Sequence, residues 1–158
     1  FTAYDGVFYY YKLDECLDEC DAKGQLVVVN TCHSGSAIWD MAQEGRVVLT
    51  SSAADQASYG NYVLKNSIFT YFLVDETGVC SSRYGYPTPR VGKDGAFARD
   101  DPDTNENYGG NNDGWISAEE AFSYAKKWKL KLAEEWNVIS VPQISDNYNG
   151  DLLIAKRT

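Results

Sequence analysis

LVVVNTCHSGSAI, residues 26–38, runs from an unbroken apolar stretch into a cysteine and then into small, turn-forming residues. Leu26 to Val29 are apolar at every position and largely β-branched, the composition of a strand covered on both faces, as in a parallel sheet. RVVLTSSA, residues 46–53, repeats the pattern, and SAIWDMAQEG between the two supplies a helix. Two buried strands joined by a helical crossover predict a βαβ unit. In open α/β sheets reactive groups lie just past the carboxyl ends of the strands, and Cys32 stands there, followed by His33, Ser34 and Gly35. A thiolate attacks carbonyls well, and the cysteine's own N–H can hold the developing oxyanion. Against this stands the alternative that Cys32 only packs, since free cysteine is among the most buried residue types.

Upstream, LDECLDECDAKG predicts an amphipathic helix stopped by Gly24, preceded by a short strand or turn. Downstream, NSIFTYFLVDETG, residues 66–78, predicts a helix capped by Asn66 or Ser67 and stopped at Gly78. From Val79 the chain turns to Gly, Asn, Asp, Pro, Arg and Tyr without a period, which predicts a long surface loop over 79–116. SAEEAFSYAKKWKLKLAEEW, residues 117–136, is the clearest helix, with Phe122, Ala125, Leu132 and Trp136 on one face and the lysines pointing out. Two short strands separated by an Asn/Gly turn follow. Nothing divides the chain, so residues 1–158 read as one domain.

With 158 residues the chain can fold on a hydrophobic core without a disulfide framework. The pairing of Cys16, Cys20 and Cys80 stays open, as does the redox compartment. A formal charge of −9 and a pI near 4.5 argue against nucleic acid and anionic membrane as partners and fit calcium or basic peptides better. No apolar run approaches the length of a membrane span. The first residue is Phe1, which reads as a processed end.

VVVNTCHSGSAI, followed by VVLTSSAADQASYG and SIFTYFL, resembles the caspase-like cysteine peptidases, the clan of caspases, metacaspases, legumain and clostripain. The resemblance runs from about residue 7 to residue 77 and continues less specifically through DGWISAEEAFSYA and VPQISDNYNGDLLI. It implies a three-layer αβα domain around a mainly parallel central sheet, a cysteine endopeptidase acting through a thioacyl-enzyme on peptide or protein substrates, and Cys32 as its nucleophile. Cys32 N–H, His33 and Gly35 would line the oxyanion side of the cleft.

His33 is a poor candidate for the base, because adjacent side chains in an extended segment project to opposite sides. In the family the base comes from a separate HG motif, about 50 residues before the cysteine in caspases. Counting back from Cys32 passes residue 1, so the expectation is a C-terminal chain of an autoprocessed precursor, with the first strands and the histidine on an N-terminal chain and an extracellular or cell-envelope location.

Many basic-specific relatives carry Asp two residues before the cysteine; here it is Asn30, so the pocket candidates are Asn30, Ser52 and Asp55, with a lean to basic residues on Asp55. A few tyrosines, among them Tyr84, Tyr86 and Tyr108, are candidates to line a peptide groove. NNDGWISAEEAF carries the end of an EF-hand loop. Asn111, Asp113, Trp115 carbonyl, Ser117 and Glu120 fall in ligand places, and Asp103 and Asn105 fill the early ones if residues 106–110 bulge out. This predicts a structural calcium site, although Ser117 and Glu120 also form a helix capping box. Two alternatives accompany the peptidase reading: an inactive caspase-like domain used as a calcium-stabilised binding module, and an unrelated α/β hydrolytic enzyme in which Cys32 packs.

Overall fold

A computed structural model of the chain describes residues 2–3, 6–87 and 93–157. A small hairpin of β1 (Thr2–Ala3) and β2 (Gly6–Val7) leads into α1 (Tyr10–Asp18). β3 (Gln25–Val29) then runs through a 3₁₀ turn, Ser34–Ser36, into α2 (Ala37–Met41) and back as β4 (Arg46–Thr50). β3 and β4 are parallel, with Val27 opposite Val48 and Val28 opposite Leu49, which is the βαβ unit expected from the two apolar runs.

β5 (Gly60–Asn61) and β6 (Asn66–Ser67) form a second hairpin, followed by α3 (Ile68–Val74). Ser67 caps α3 by accepting from the Thr70 N–H, and the helix ends at Asp75, short of Gly78. Gly78 instead precedes α4 (Val79–Tyr84). After α5 (Asp101–Thr104) come β7 (Trp115–Ser117), α6 (Ala118–Glu135), β8 (Gln143–Asp146) and β9 (Leu153–Lys156). β8 pairs antiparallel with β4, and β9 pairs antiparallel with β7. The central sheet, in the order β3-β4-β8, thus holds one parallel and one antiparallel pairing among the described residues.

β4 is buried at every residue because it lies in the middle. Val27, Val29 and Val48 pack with Ala37 and Met41 of α2 and with Tyr10, Leu13 and Leu17 of α1. Val47 and Leu49 belong to the larger cluster built on α3 and α6, where the Phe69 and Phe122 rings meet edge to face at 6.0 Å. β3 is less enclosed than its composition predicts: it ends the sheet among the described residues, and Val28 is 41% exposed. Arg46, fully buried, ties α1 to the sheet through Asp14 (2.5 Å), Asp18 (3.1 Å), Gln25 (2.8 Å) and the Met41 carbonyl (3.0 Å).

The surface loop expected from residue 79 onward is largely packed structure. α4, α5 and two 3₁₀ turns occupy it, and residues 88–92 lie outside the described residues. Its organiser is the buried Asp94, whose carboxylate accepts from the Tyr71 hydroxyl (2.6 Å) and the Ser81 N–H (3.0 Å), while its carbonyl accepts from the Tyr124 hydroxyl (2.9 Å). Such side-chain-to-backbone links have no sequence period, so the pattern reads as loop. Tyr86 and Tyr108 are buried in the core and do not line a groove.

Candidate active site

The site forms where β3 and β4 end side by side. The ladder continues past β3, with the Ser51 N–H donating to Val29 O at 3.0 Å, and the chain then turns away through Asn30 and Thr31 to Cys32. His33 takes a left-handed conformation, φ 59°, which swings the following 3₁₀ turn back across the end of β4. Ser34 is buried there: its Oγ lies 3.3 Å from Ser51 Oγ and 3.2 Å from Ser52 Oγ, and accepts from the Ser52 N–H at 3.0 Å. Ser51 Oγ and Ser52 Oγ each donate to Thr31 O at 3.3 Å. The small residues of TSSAA are therefore required by proximity. A Cβ on Gly35 would stand 2.5 Å from Ala54 N and 2.8 Å from Ala53 C.

Cys32 itself is exposed. Its sulfur accepts from the Ser58 N–H at 3.4 Å and lies 3.8 Å from Ser58 O. The Cys32 N–H makes no hydrogen bond among the described residues, so it is free to meet an oxyanion. The His33 N–H is not, because it donates to Gln56 O at 2.8 Å. The His33 ring is held as well, with Nδ1 3.0 Å from Ala54 O. A carbonyl only accepts, so Nδ1 carries the proton in this contact. The imidazole is thus anchored to the 54–56 segment and makes no contact with the sulfur.

The three pocket candidates separate. Asn30 is exposed and lines a shallow, mostly apolar groove of about 300 Å³ with Tyr10, Leu13, Val27, Val28, Val29 and Thr31. Asp55 is exposed on the segment that holds His33. Ser52 is fully buried in the serine network, where it braces the loop and cannot line a substrate pocket.

The EF-hand-like segment folds around its own hydrogen bonds. Asp103 is fully buried and accepts from the N–H groups of Asp113 (3.0 Å) and Gly114 (3.1 Å) and from Arg157 Nη1 (2.8 Å). Glu120 accepts from the Ser117 N–H (2.9 Å) and the Asn111 N–H (3.3 Å), and Ser117 with Glu120 makes the capping box of α6. Asp113 takes the Trp115 N–H at 2.8 Å, the Asn111 amide donates to Asp151, and Asn105 caps the turn at Asn107. Among the described residues no three His, Cys, Asp or Glu side chains converge as a metal-holding set. The candidates do not fit calcium as placed, because main-chain N–H groups and the Arg157 guanidinium already satisfy the oxygens a cation would need.

One side chain beside the site escaped the sequence reading. Lys129 is fully buried, not outward-facing with the other α6 lysines. Its Nζ donates to Ser51 O and Ser140 O, each at 2.6 Å, and to Ser140 Oγ at 2.5 Å. Burial without a carboxylate partner lowers its pKa from 10.5 to about 7. The signal was present in the spacing: Phe122, Ala125, Leu132 and Trp136 follow a three-four rhythm whose missing member is position 129.

No curated protein and no solved structure matches the chain. A family match does exist, and it spans the first hairpin, β3, the Cys32 loop, β4 and α3. Over residues 3–76 the chain matches the Peptidase C13 family, the legumain-type branch of the caspase-like cysteine peptidases.

Proposed function

We propose that this chain carries the nucleophile of a cysteine endopeptidase. The observation that supports it is an exposed thiol at the carboxyl end of a parallel strand pair, with a backbone N–H on its sulfur and its own N–H free. In the proposed reaction Cys32 Sγ attacks the scissile carbonyl carbon, and the Cys32 N–H stabilises the oxyanion. The C–N bond then breaks, the leaving amine takes a proton from an imidazolium, and a thioester remains on Cys32. Water, deprotonated by the same imidazole, attacks the thioester and returns the thiolate with a free carboxylic acid.

His33 is the chain's one histidine, and its contacts hold it on Ala54 and Gln56. We assign the base to an imidazole from an N-terminal chain of the same precursor, seated along the open edge of β3 and the groove of Tyr10, Leu13 and Val28. The apolar clusters on the two faces of the β3-β4 pair support a three-layer caspase-like arrangement in the assembled enzyme. Asn30 and Asp55 are the proposed specificity residues.

The test is made on the full-length protein. It should cleave fluorogenic peptides, with Cys32→Ala reducing the rate by about 10⁴-fold or more. Cys16 and Cys20 are also exposed and serve as internal standards: iodoacetamide should label Cys32 faster than either near neutral pH. Absence of cleavage together with labelling of Cys32 no faster than Cys16 and Cys20 would end the peptidase reading.

A further inference from the structure

We propose that Lys129 is a positioning residue for the Cys32 loop, joining at one ammonium group the two arms of hydrogen bonds that close around the thiol; its catalytic consequence rests on the peptidase reading above. The first arm runs through Ser51. Lys129 holds the Ser51 carbonyl at 2.6 Å, while Ser51 Oγ reaches Thr31 O and Ser34 Oγ, both at 3.3 Å, on either side of Cys32. The second arm runs through Ser140, held at both its carbonyl and its hydroxyl. The next residue, Val141, donates its N–H to Gln56 Oε1 at 2.7 Å, and Gln56 O receives the His33 N–H at 2.8 Å. Two residues beyond Gln56 lies Ser58, whose N–H meets the Cys32 sulfur.

The serine contacts along the first arm are neutral and 3.0–3.4 Å long, each worth little by itself. The Lys129 bonds are short and charge-assisted, the stronger class. They therefore set the frame on which the weaker contacts hang. Position 129 sits on the apolar stripe of α6, where a methionine or leucine would bury more readily. A lysine there is accounted for by the two carbonyls it satisfies, Ser51 from the end of β4 and Ser140 from the segment after α6. No other element of the chain brings these two ends together on a cation among the described residues. With both arms in place the Cys32 N–H and the Ser58 N–H keep fixed directions relative to the sulfur, as an oxyanion site and a thiolate donor require.

The test compares Lys129→Met, Ser51→Ala and the double variant with the parent, all as full-length protein below their melting temperatures. The readout is the iodoacetamide rate at Cys32, normalised to Cys16. Since Cys32 is already exposed, access does not limit the rate, which instead follows whether the Ser58 N–H still meets the sulfur. Each single variant should slow labelling by about threefold or more, and the double should be no slower than the slower single, because both lie on one path. Where cleavage is measurable, kcat should fall with KM unchanged.

Should Lys129→Met fail to fold, Ser51→Ala and Ser140→Ala, which delete one link from each arm, carry the test as single variants, each expected to slow labelling by about threefold or more. Labelling within about 1.5-fold of the parent in folded variants, or multiplying effects in the double, would overturn the inference and leave Lys129 a stabilising residue only. A parent that cleaves no peptide defeats the peptidase reading separately, since the Lys129 result is a ratio of variant to parent.

Discussion

Gly35→Ala is the perturbation that examines the Cys32 loop most directly. The backbone at Gly35 does not need a left-handed conformation, so the substitution acts through contact alone. The new Cβ would stand 2.5 Å from Ala54 N, 2.8 Å from Ala53 C and 3.0 Å from Ala53 Cα. All three are main-chain atoms, which cannot swing aside as the end of a long side chain can. The two segments must separate by about 0.9 Å, the difference between ordinary contact at 3.4 Å and the 2.5 Å found. That opening stretches the Ser34–Ser52 contacts, already at 3.0–3.4 Å, beyond hydrogen-bond range. Overpacking of this kind costs about 1–3 kcal/mol. For a chain of this size the melting temperature should fall by about 2–12 °C. Thermal unfolding followed by circular dichroism measures the first effect, and the iodoacetamide rate at Cys32 in the folded variant measures the second, a slowing. An unchanged melting temperature and an unchanged labelling rate would refute the claim that the glycine is fixed by proximity to Ala53 and Ala54.

Two further outcomes follow from buried groups. The folded pKa of Lys129, lowered to about 7 from 10.5, means that the unfolded chain binds more protons between those values, so stability should rise as pH increases above about 7. Burial pushes the Cys80 thiol the other way, from 9.0 up to about 12, so from about pH 9 the folded state holds the extra proton and stability should fall. Melting temperature against pH should rise from about pH 7, level off between about pH 9 and 10.5 and fall above that, and Lys129→Met should remove the rising limb while keeping the falling one; an unaltered rising limb would show that another group carries it. In the EF-hand-like segment, EDTA or millimolar calcium should leave the melting temperature unmoved, whereas Asp103→Ala should lower stability by about 1–3 kcal/mol by stripping the Gly114 N–H and Arg157 of their acceptor. A calcium-dependent rise in melting temperature would instead show that Arg157 gives way to a cation.

The apolar runs at 26–29 and 46–50, the capping box at Ser117 and Glu120, and Cys32 at the end of a strand were legible because each is a local pattern: composition, spacing or a short motif. The packed state of residues 79–114 was not, since Asp94 organises it through Tyr71, Ser81 and Tyr124, which come from three separate helices. Ser52 read as a pocket residue for the same reason. A serine beside a strand end has no sequence mark that says whether it faces a cleft or the loop opposite. The calcium motif was present in residue type and spacing, yet the fold delivered Arg157 from the far end of the chain to the oxygen that a cation would take.

By itself the sequence determined the βαβ unit and the cysteine at its strand end, because hydrophobic periodicity and a thiol after a buried strand are written within a few dozen residues. Only the tertiary structure decided what surrounds that thiol. Ser51, Lys129 and Ser140 are distant in the chain, and whether a lysine on a helical stripe points to water or to two carbonyls depends on which backbone ends the fold brings beneath it. Burying an ammonium is unfavourable unless such acceptors are in place, and their placement belongs to the packed molecule and not to the local sequence.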